Sequence, residues 1–176
     1  IDFVLSNFIN SGLMQVFVLT QFKSHSLMEH LRQGWRISGI PNFFIDPIPA
    51  QMQTGKKWYE GTADAIYQNL NLIYDSDPDL VCVFGGDHIY KMEISQMLRF
   101  HTKRHAELTV AAIPVPLHEA KHFGIIEVDD EWRMTGFVEK PINPPKPMPN
   151  DPHHVLASMG NYVFARNALV NELILD

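Results

Sequence analysis

The sequence predicts an α/β domain built on an open, mostly parallel sheet with helices on both faces. Three observations carry that reading. Leu80-Val81-Cys82-Val83-Phe84 is an uninterrupted apolar run rich in β-branched residues, the pattern of a strand buried on both faces. It leads directly into Gly85-Gly86-Asp87, and in such sheets ligands sit in the crevice beyond the strands' carboxyl ends. Strand-length apolar runs also alternate with helically spaced segments along 176 residues that are 45% hydrophobic, enough for one domain with a substantial core. A formal net charge of -6 leaves no broad basic face for nucleic acid or an anionic membrane. No run approaches the roughly 18 apolar residues of a membrane span. The one cysteine, Cys82, lies inside the apolar run, so there is no disulfide framework and a reducing compartment is the simplest reading.

Taken in order, Ile1, Val4, Leu5, Phe8 and Ile9 stand at helical spacing up to Gly12, a C-cap. Val16-Phe17-Val18-Leu19 is a buried strand, and Ser24 or Ser26 caps a helix carrying Leu27, His30 and Leu31 on one face. Phe43-Phe44-Ile45-Asp46 reads as an edge strand because Pro47 and Pro49 exclude a central one, and a long loop follows over residues 51–60. Thr62 is the expected N-cap of a single helix with Ala63, Ile66, Leu70 and Ile73 inward. Residues 91–105 form an amphipathic helix with Ile94, Met97, Leu98 and His101 inward, and residues 108–113 a strand closed by Pro114 and Pro116. Residues 124–128 and 134–138 pair as a hairpin around Asp129-Asp130-Glu131. After a stiff, proline-rich excursion over residues 141–152, a strand resumes at residues 156–164 and a helix at 165–175. The chain starts without Met and stops within a helical pattern, and it reads as a piece of something longer.

Asp87 is the first candidate for chemistry. A carboxylate at a strand end suits a hard divalent cation such as Mg2+, which keeps several waters and shares its other positions with substrate phosphates. An acid there also serves as a plain N-cap or turn former. Glu139-Lys140 is a second candidate, since a lysine at a strand end is a compact charge suited to phosphate, or else an ordinary solvated side chain. The first turn of the helix at Thr62 offers free N–H groups to a polar ligand edge. His101/His105 and His118/His122 stand at i, i+4 without the acidic or third-ligand context of a zinc motif.

Several stretches, in register along the whole chain, resemble one family. They are Ile1-Asp2-Phe3, Ser6-Asn7, Asn10-Ser11-Gly12, Thr20-Gln21, Lys23-Ser24-His25, Pro49-Ala50-Gln51, Trp58-Tyr59-Glu60-Gly61-Thr62-Ala63-Asp64-Ala65, Gly86-Asp87-His88-Ile89-Tyr90, Phe137-Val138-Glu139-Lys140-Pro141 and Ala157-Ser158-Met159-Gly160. Together they resemble the glucose-1-phosphate adenylyltransferases (ADP-glucose pyrophosphorylases) among the sugar-nucleotide pyrophosphorylases. The resemblance implies a Rossmann-like nucleotide-diphospho-sugar transferase fold. It implies transfer of the adenylyl group from ATP to α-D-glucose 1-phosphate, giving ADP-glucose and pyrophosphate, with Mg2+, in an allosteric enzyme of glycogen or starch synthesis.

By the same resemblance Asp87 holds the metal and is catalytic together with Lys140. Lys140 and Glu139 hold the sugar phosphate, and Gly124 and Ser158 line its pocket with Tyr59 close by. Gln51, Gly61, Thr62 and Ala63 form the nucleotide side, while Gln21 and Trp58 sit on moving loops. A homotetramer or heterotetramer and a cytoplasmic location, or a plastid in a plant or alga, are implied as well. The family's glycine-rich triphosphate loop precedes the position of Ile1, and its β-helix domain follows the last residue. The 176 residues alone are therefore expected to be nearly inactive. A weakly catalytic regulatory subunit, or a sister enzyme using another nucleotide, is the competing expectation.

Overall fold

The computed structural model describes residues 1–22, 24–35, 41–50, 58–143 and 145–175. Helix α1 (Asp2–Asn10) leads through Gly12, at φ +79°, into β1 (Gln15–Thr20). Helix α2 (Ser24–Gly34) returns the chain to β2 (Phe44–Pro49), which pairs with β1 in parallel. Pro47 and Pro49 lie within β2, and this is tolerated because among the described residues β2 pairs with β1 alone, so their missing N–H groups face the edge without a described strand. Val4, Leu5 and Phe8 of α1 pack with Val16, Val18, Leu31 and Ile94 into a core onto which Cys82 and Phe84 also close. Full burial of side chains such as Leu5 or Ile94 contributes about 1.5–3 kcal/mol each.

The remaining strands form one sheet in the order β3-β7-β5-β6, with β4 on the other edge of β7. They are β3 (Leu80–Val83), β4 (Leu108–Pro116), β5 (Gly124–Val128), β6 (Met134–Glu139) and β7 (His154–Ala165). All four pairings in this sheet are antiparallel. The α/β class follows expectation and parallel and antiparallel pairing both occur, but in two separate sheets, and the mostly parallel character does not hold: among the described strands only β1 and β2 run parallel. Strand β3 is half-buried throughout rather than sealed on both faces. Among the described residues it pairs with β7 alone and its other side borders a cavity, so its apolar run reflects that cavity as much as a core. Strand β4 continues through Pro114 and Pro116, again because it is an edge strand.

The single helix expected from Thr62 is two, α3 (Thr62–Tyr67) and α4 (Leu70–Ser76). Asn69 breaks it: its side-chain Nδ2 donates to the Ala65 carbonyl and to Tyr59 Oη, and its backbone N–H closes a tighter turn on Ile66. The N-cap is Gly61 rather than Thr62, with the Asp64 carboxylate accepting the Glu60 N–H at 2.8 Å. Helix α5 (Ile94–Arg104) lies over β4 and β7, with Ile94, Met97 and His101 buried. Helix α6 (Arg166–Leu175) closes the chain.

Candidate functional site

The register on β7 creates the site. Strand β3 runs against Ala165 to Tyr162, and β5 starts against Ala157 and Leu156 on the same edge of β7. The C-terminal end of β3 and the N-terminal end of β5 therefore point toward each other across residues 158–161. Gly160 sits in that gap at φ +66°, a conformation that suits glycine and bends the strand. The loop leaving β3 fills one side: His88 lies 3.8 Å from where a Cβ on Gly160 would stand. Ser158 borders the other side, its Oγ accepting the Gly160 N–H at 3.2 Å.

Asp87 heads the β3 loop. Its side chain is 92% exposed, and His88 Nε2, 3.8 Å away, is its ion-pair neighbour among the described residues. The cap of α5 is Glu93, so Asp87 does not serve as an N-cap. A solvated, acceptor-only carboxylate with its lone pairs open, flanked by two glycines, fits a Mg2+ ion that retains most of its water.

Asp87 opens on a cavity of about 910 Å3 also bordered by Gln21, Tyr59, Gly61, Thr62 and Gly160. Tyr59 is fixed at both ends, its N–H donating to Gln21 Oε1 at 2.7 Å and its Oη accepting from Asn69. Ala63 lies one residue further into α3 and does not border the cavity, Trp58 is exposed, and Gln51 lies outside the described residues.

The second cluster is the mouth of the β5–β6 hairpin. Gly124 pairs with Glu139, and Lys140 N–H donates to the Phe123 carbonyl at 3.0 Å. Gly124 leaves room for both tips: a Cβ there would come within 2.6 Å of Phe137 Cζ and 2.8 Å of Glu139 Oε2, and those side-chain ends would have to move. Lys140 itself holds φ +44°, a left-handed backbone that costs a residue with a side chain about 1–2 kcal/mol. Its ammonium stands 3.6 Å from Glu139 Oε1, and both side chains are mostly exposed. Because Ile125 pairs with Ala157, this corner adjoins Ser158 and hence the gap that Asp87 borders.

The sequence matches the nucleotidyl transferase family across residues 1–174. The chain belongs to that family. Among curated relatives, glucose-1-phosphate adenylyltransferase 1 of Vibrio parahaemolyticus is 62% identical and that of Vibrio vulnificus (strain YJ016) 61% identical. Glucose-1-phosphate adenylyltransferase of Anaeromyxobacter dehalogenans is 56% identical. Each alignment covers all 176 residues of this chain and 43% of the relative.

For a nucleotidyl transferase, the cavity is short of cations. Among the described residues no lysine or arginine borders it, and its only charged side chain is Asp87, beside His88. No helix of the described residues is long and apolar enough to cross a membrane. Gly160 was the residue that pattern reading passed over, although a glycine inside an apolar strand is itself a signal of a bend or a close approach.

Proposed function

We propose that the complete protein transfers the adenylyl group of ATP to α-D-glucose 1-phosphate, releasing ADP-glucose and pyrophosphate, and that this chain supplies the metal-binding acid and the sugar-phosphate corner. The observation that carries the reading is the juxtaposition across Gly160. One exposed carboxylate, Asp87, on the loop that leaves β3, borders the same cavity as Gly160, and the Gly124–Glu139–Lys140 corner adjoins that gap through Ser158. The bacterial relatives are glucose-1-phosphate adenylyltransferases, and this supports the choice of substrates.

In this reading Asp87 holds Mg2+, which when bound neutralises charge on the reacting phosphates. Lys140 meets the phosphate of the sugar phosphate as a point charge, and the Glu139 carboxylate accepts from sugar hydroxyls. The left-handed backbone of Lys140 supports the assignment, because conformational cost is retained where a side chain must point in one direction. Tyr59, Gly61 and Thr62, which border the cavity, form the nucleotide side. In-line displacement at the α-phosphorus by the sugar-phosphate oxygen needs positioning and charge neutralisation more than covalent help.

The test is Asp87→Asn in the full-length protein. The substitution preserves shape and removes charge, and the side chain is too exposed for the fold to depend on it. Turnover of ATP and glucose 1-phosphate is expected to fall on the order of a hundredfold or more with Tm unchanged. Rates within a few-fold of the parent would refute the metal role.

A further inference from the structure

Helix α1 and its cap residues Ile1 and Ser11 touch the chain around Asp87 at residues 84, 86, 90, 92 and 94, from just after β3 to the start of α5. The Phe8 ring meets the Phe84 ring edge-on at 4.9 Å between centroids, and Ile1 Cδ1 stands 3.1 Å from where a Cβ on Gly86 would be. Asn7, buried at 6% exposure, donates from Nδ2 to the Tyr90 carbonyl at 3.0 Å and accepts the Met92 N–H on Oδ1 at 3.2 Å. One turn later Ser11 Oγ accepts the Ile94 N–H at 2.8 Å, the first free donor of α5. A carboxamide that meets a carbonyl and an N–H two residues apart acts as a strand partner for a segment that belongs to no sheet.

Between these anchors, Asp87 and Ile89 project with little to hold them: their exposures are 92% for the Asp87 side chain and 79% for Ile89. The direction of the carboxylate is therefore set by the backbone on either side, and that backbone is held by α1.

We propose that Asn7 is a positioning residue for Asp87, fixing the loop of residues 85–92 so that the carboxylate meets the metal without reorganising, with Ser11 as a second anchor. The proposal rests on the metal role of Asp87. Loss of Asn7 lets the loop sample conformations in which the acid faces away, so metal must order the loop as it binds. The Gly124–Glu139 corner shares none of these contacts, so sugar-phosphate binding is spared.

The experiment uses the full-length parent, Asn7→Ala and Asp87→Asn proteins. Mn2+ is titrated with ATP present and followed by water-proton relaxation, whose enhancement reports protein-bound Mn2+–ATP. The Mg2+ dependence of turnover and Tm are measured alongside. Asn7→Ala is expected to weaken Mn2+ binding and raise the half-saturating Mg2+ by on the order of tenfold, with KM for glucose 1-phosphate within about twofold. A lower Tm with parent-like Mn2+ binding, while Asp87→Asn binds weakly, overturns the positioning role and leaves the metal role standing. Parent-like binding in Asp87→Asn removes the metal role and this inference with it. If Asn7→Ala does not fold, Asn7→Ser and Ser11→Ala each remove part of the anchoring, and parent-like Mn2+ binding in both also overturns the proposal.

Discussion

Gly124 and Cys82 show how single residues set limits on chemistry. A methyl group at position 124 would collide with the tip of Phe137 and the Glu139 carboxylate, both ends of side chains that can swing away. The fold therefore accommodates Gly124→Ala cheaply, but the carboxylate proposed to receive the sugar is displaced. In the full-length protein KM for glucose 1-phosphate is expected to rise about tenfold or more, the loss of one hydrogen bond to a charged group. Tm should move by only a few degrees. A KM equal to the parent's would show that Glu139 is not at the sugar. Cys82, half-buried on β3, has its thiol pushed by burial from 9.0 to about 11. The thiolate is the reactive form, so at pH 8 the folded chain should react with an aromatic disulfide reagent about a hundredfold more slowly than the urea-unfolded chain. The raised value also means that this group costs no stability below pH 9 and withdraws it between pH 9 and about 11, as the unfolded chain ionises first. Equal reaction rates for folded and unfolded chain would contradict the burial.

At the scale of elements, α5 is tied to β4 by one buried histidine. His101 Nδ1 and Thr109 Oγ1 are 2.9 Å apart, and Nε2 meets no polar partner among the described residues. Burial holds the imidazole below its usual pKa, so the folded state resists protonation while the unfolded state does not. The contribution of His101 to stability is therefore complete above pH 6.5 and falls as pH drops below it. His101→Leu should flatten the urea midpoint between pH 7 and pH 5 relative to the parent, and an unchanged slope would assign the acid loss elsewhere. The histidine's inward face was legible from the spacing of Ile94, Met97 and His101, because helical period alone decides it. Most strands were legible too, from apolar runs bounded by Gly and Pro. Partner direction was not: nothing in Leu80–Val83 distinguishes a parallel neighbour from the antiparallel β7 it has, since residues far along the chain choose the pairing. The break between α3 and α4 escaped for a related reason. Asn69 fits the helical period and interrupts it only through bonds to Ala65 and Tyr59. The candidate acid was legible because a strand end followed by two glycines points outward. Its support from Asn7 was not, as that contact spans 83 residues.

For the whole molecule, the cavity beside Asp87 has the dimensions and lining of unfinished sheet. Among the described residues β1 pairs only with β2, and β3 only with β7, so one edge of each meets no described strand. Consecutive residues of both strands, 15–19 and 80–83, border the same cavity of about 910 Å3, as happens when edges rather than faces line it. Its walls are largely Val, Leu, Ile and Phe. Two consequences follow for a protein consisting of these 176 residues alone. An apolar surface of this extent should bind 8-anilinonaphthalene-1-sulfonate with a rise in fluorescence and favour self-association at high concentration. A triphosphate entering beside Asp87 would meet no arginine or lysine among the residues that border the cavity, so no cationic side chain there adds to a metal held by Asp87 in offsetting charge during transfer. Adenylyl transfer by the isolated chain, assayed with Mg2+, ATP and glucose 1-phosphate, is expected at least about a hundredfold below the full-length protein. Comparable rates would mean that the groups gripping the triphosphate already lie within these 176 residues, and the cavity would then have to be read as a complete nucleotide pocket.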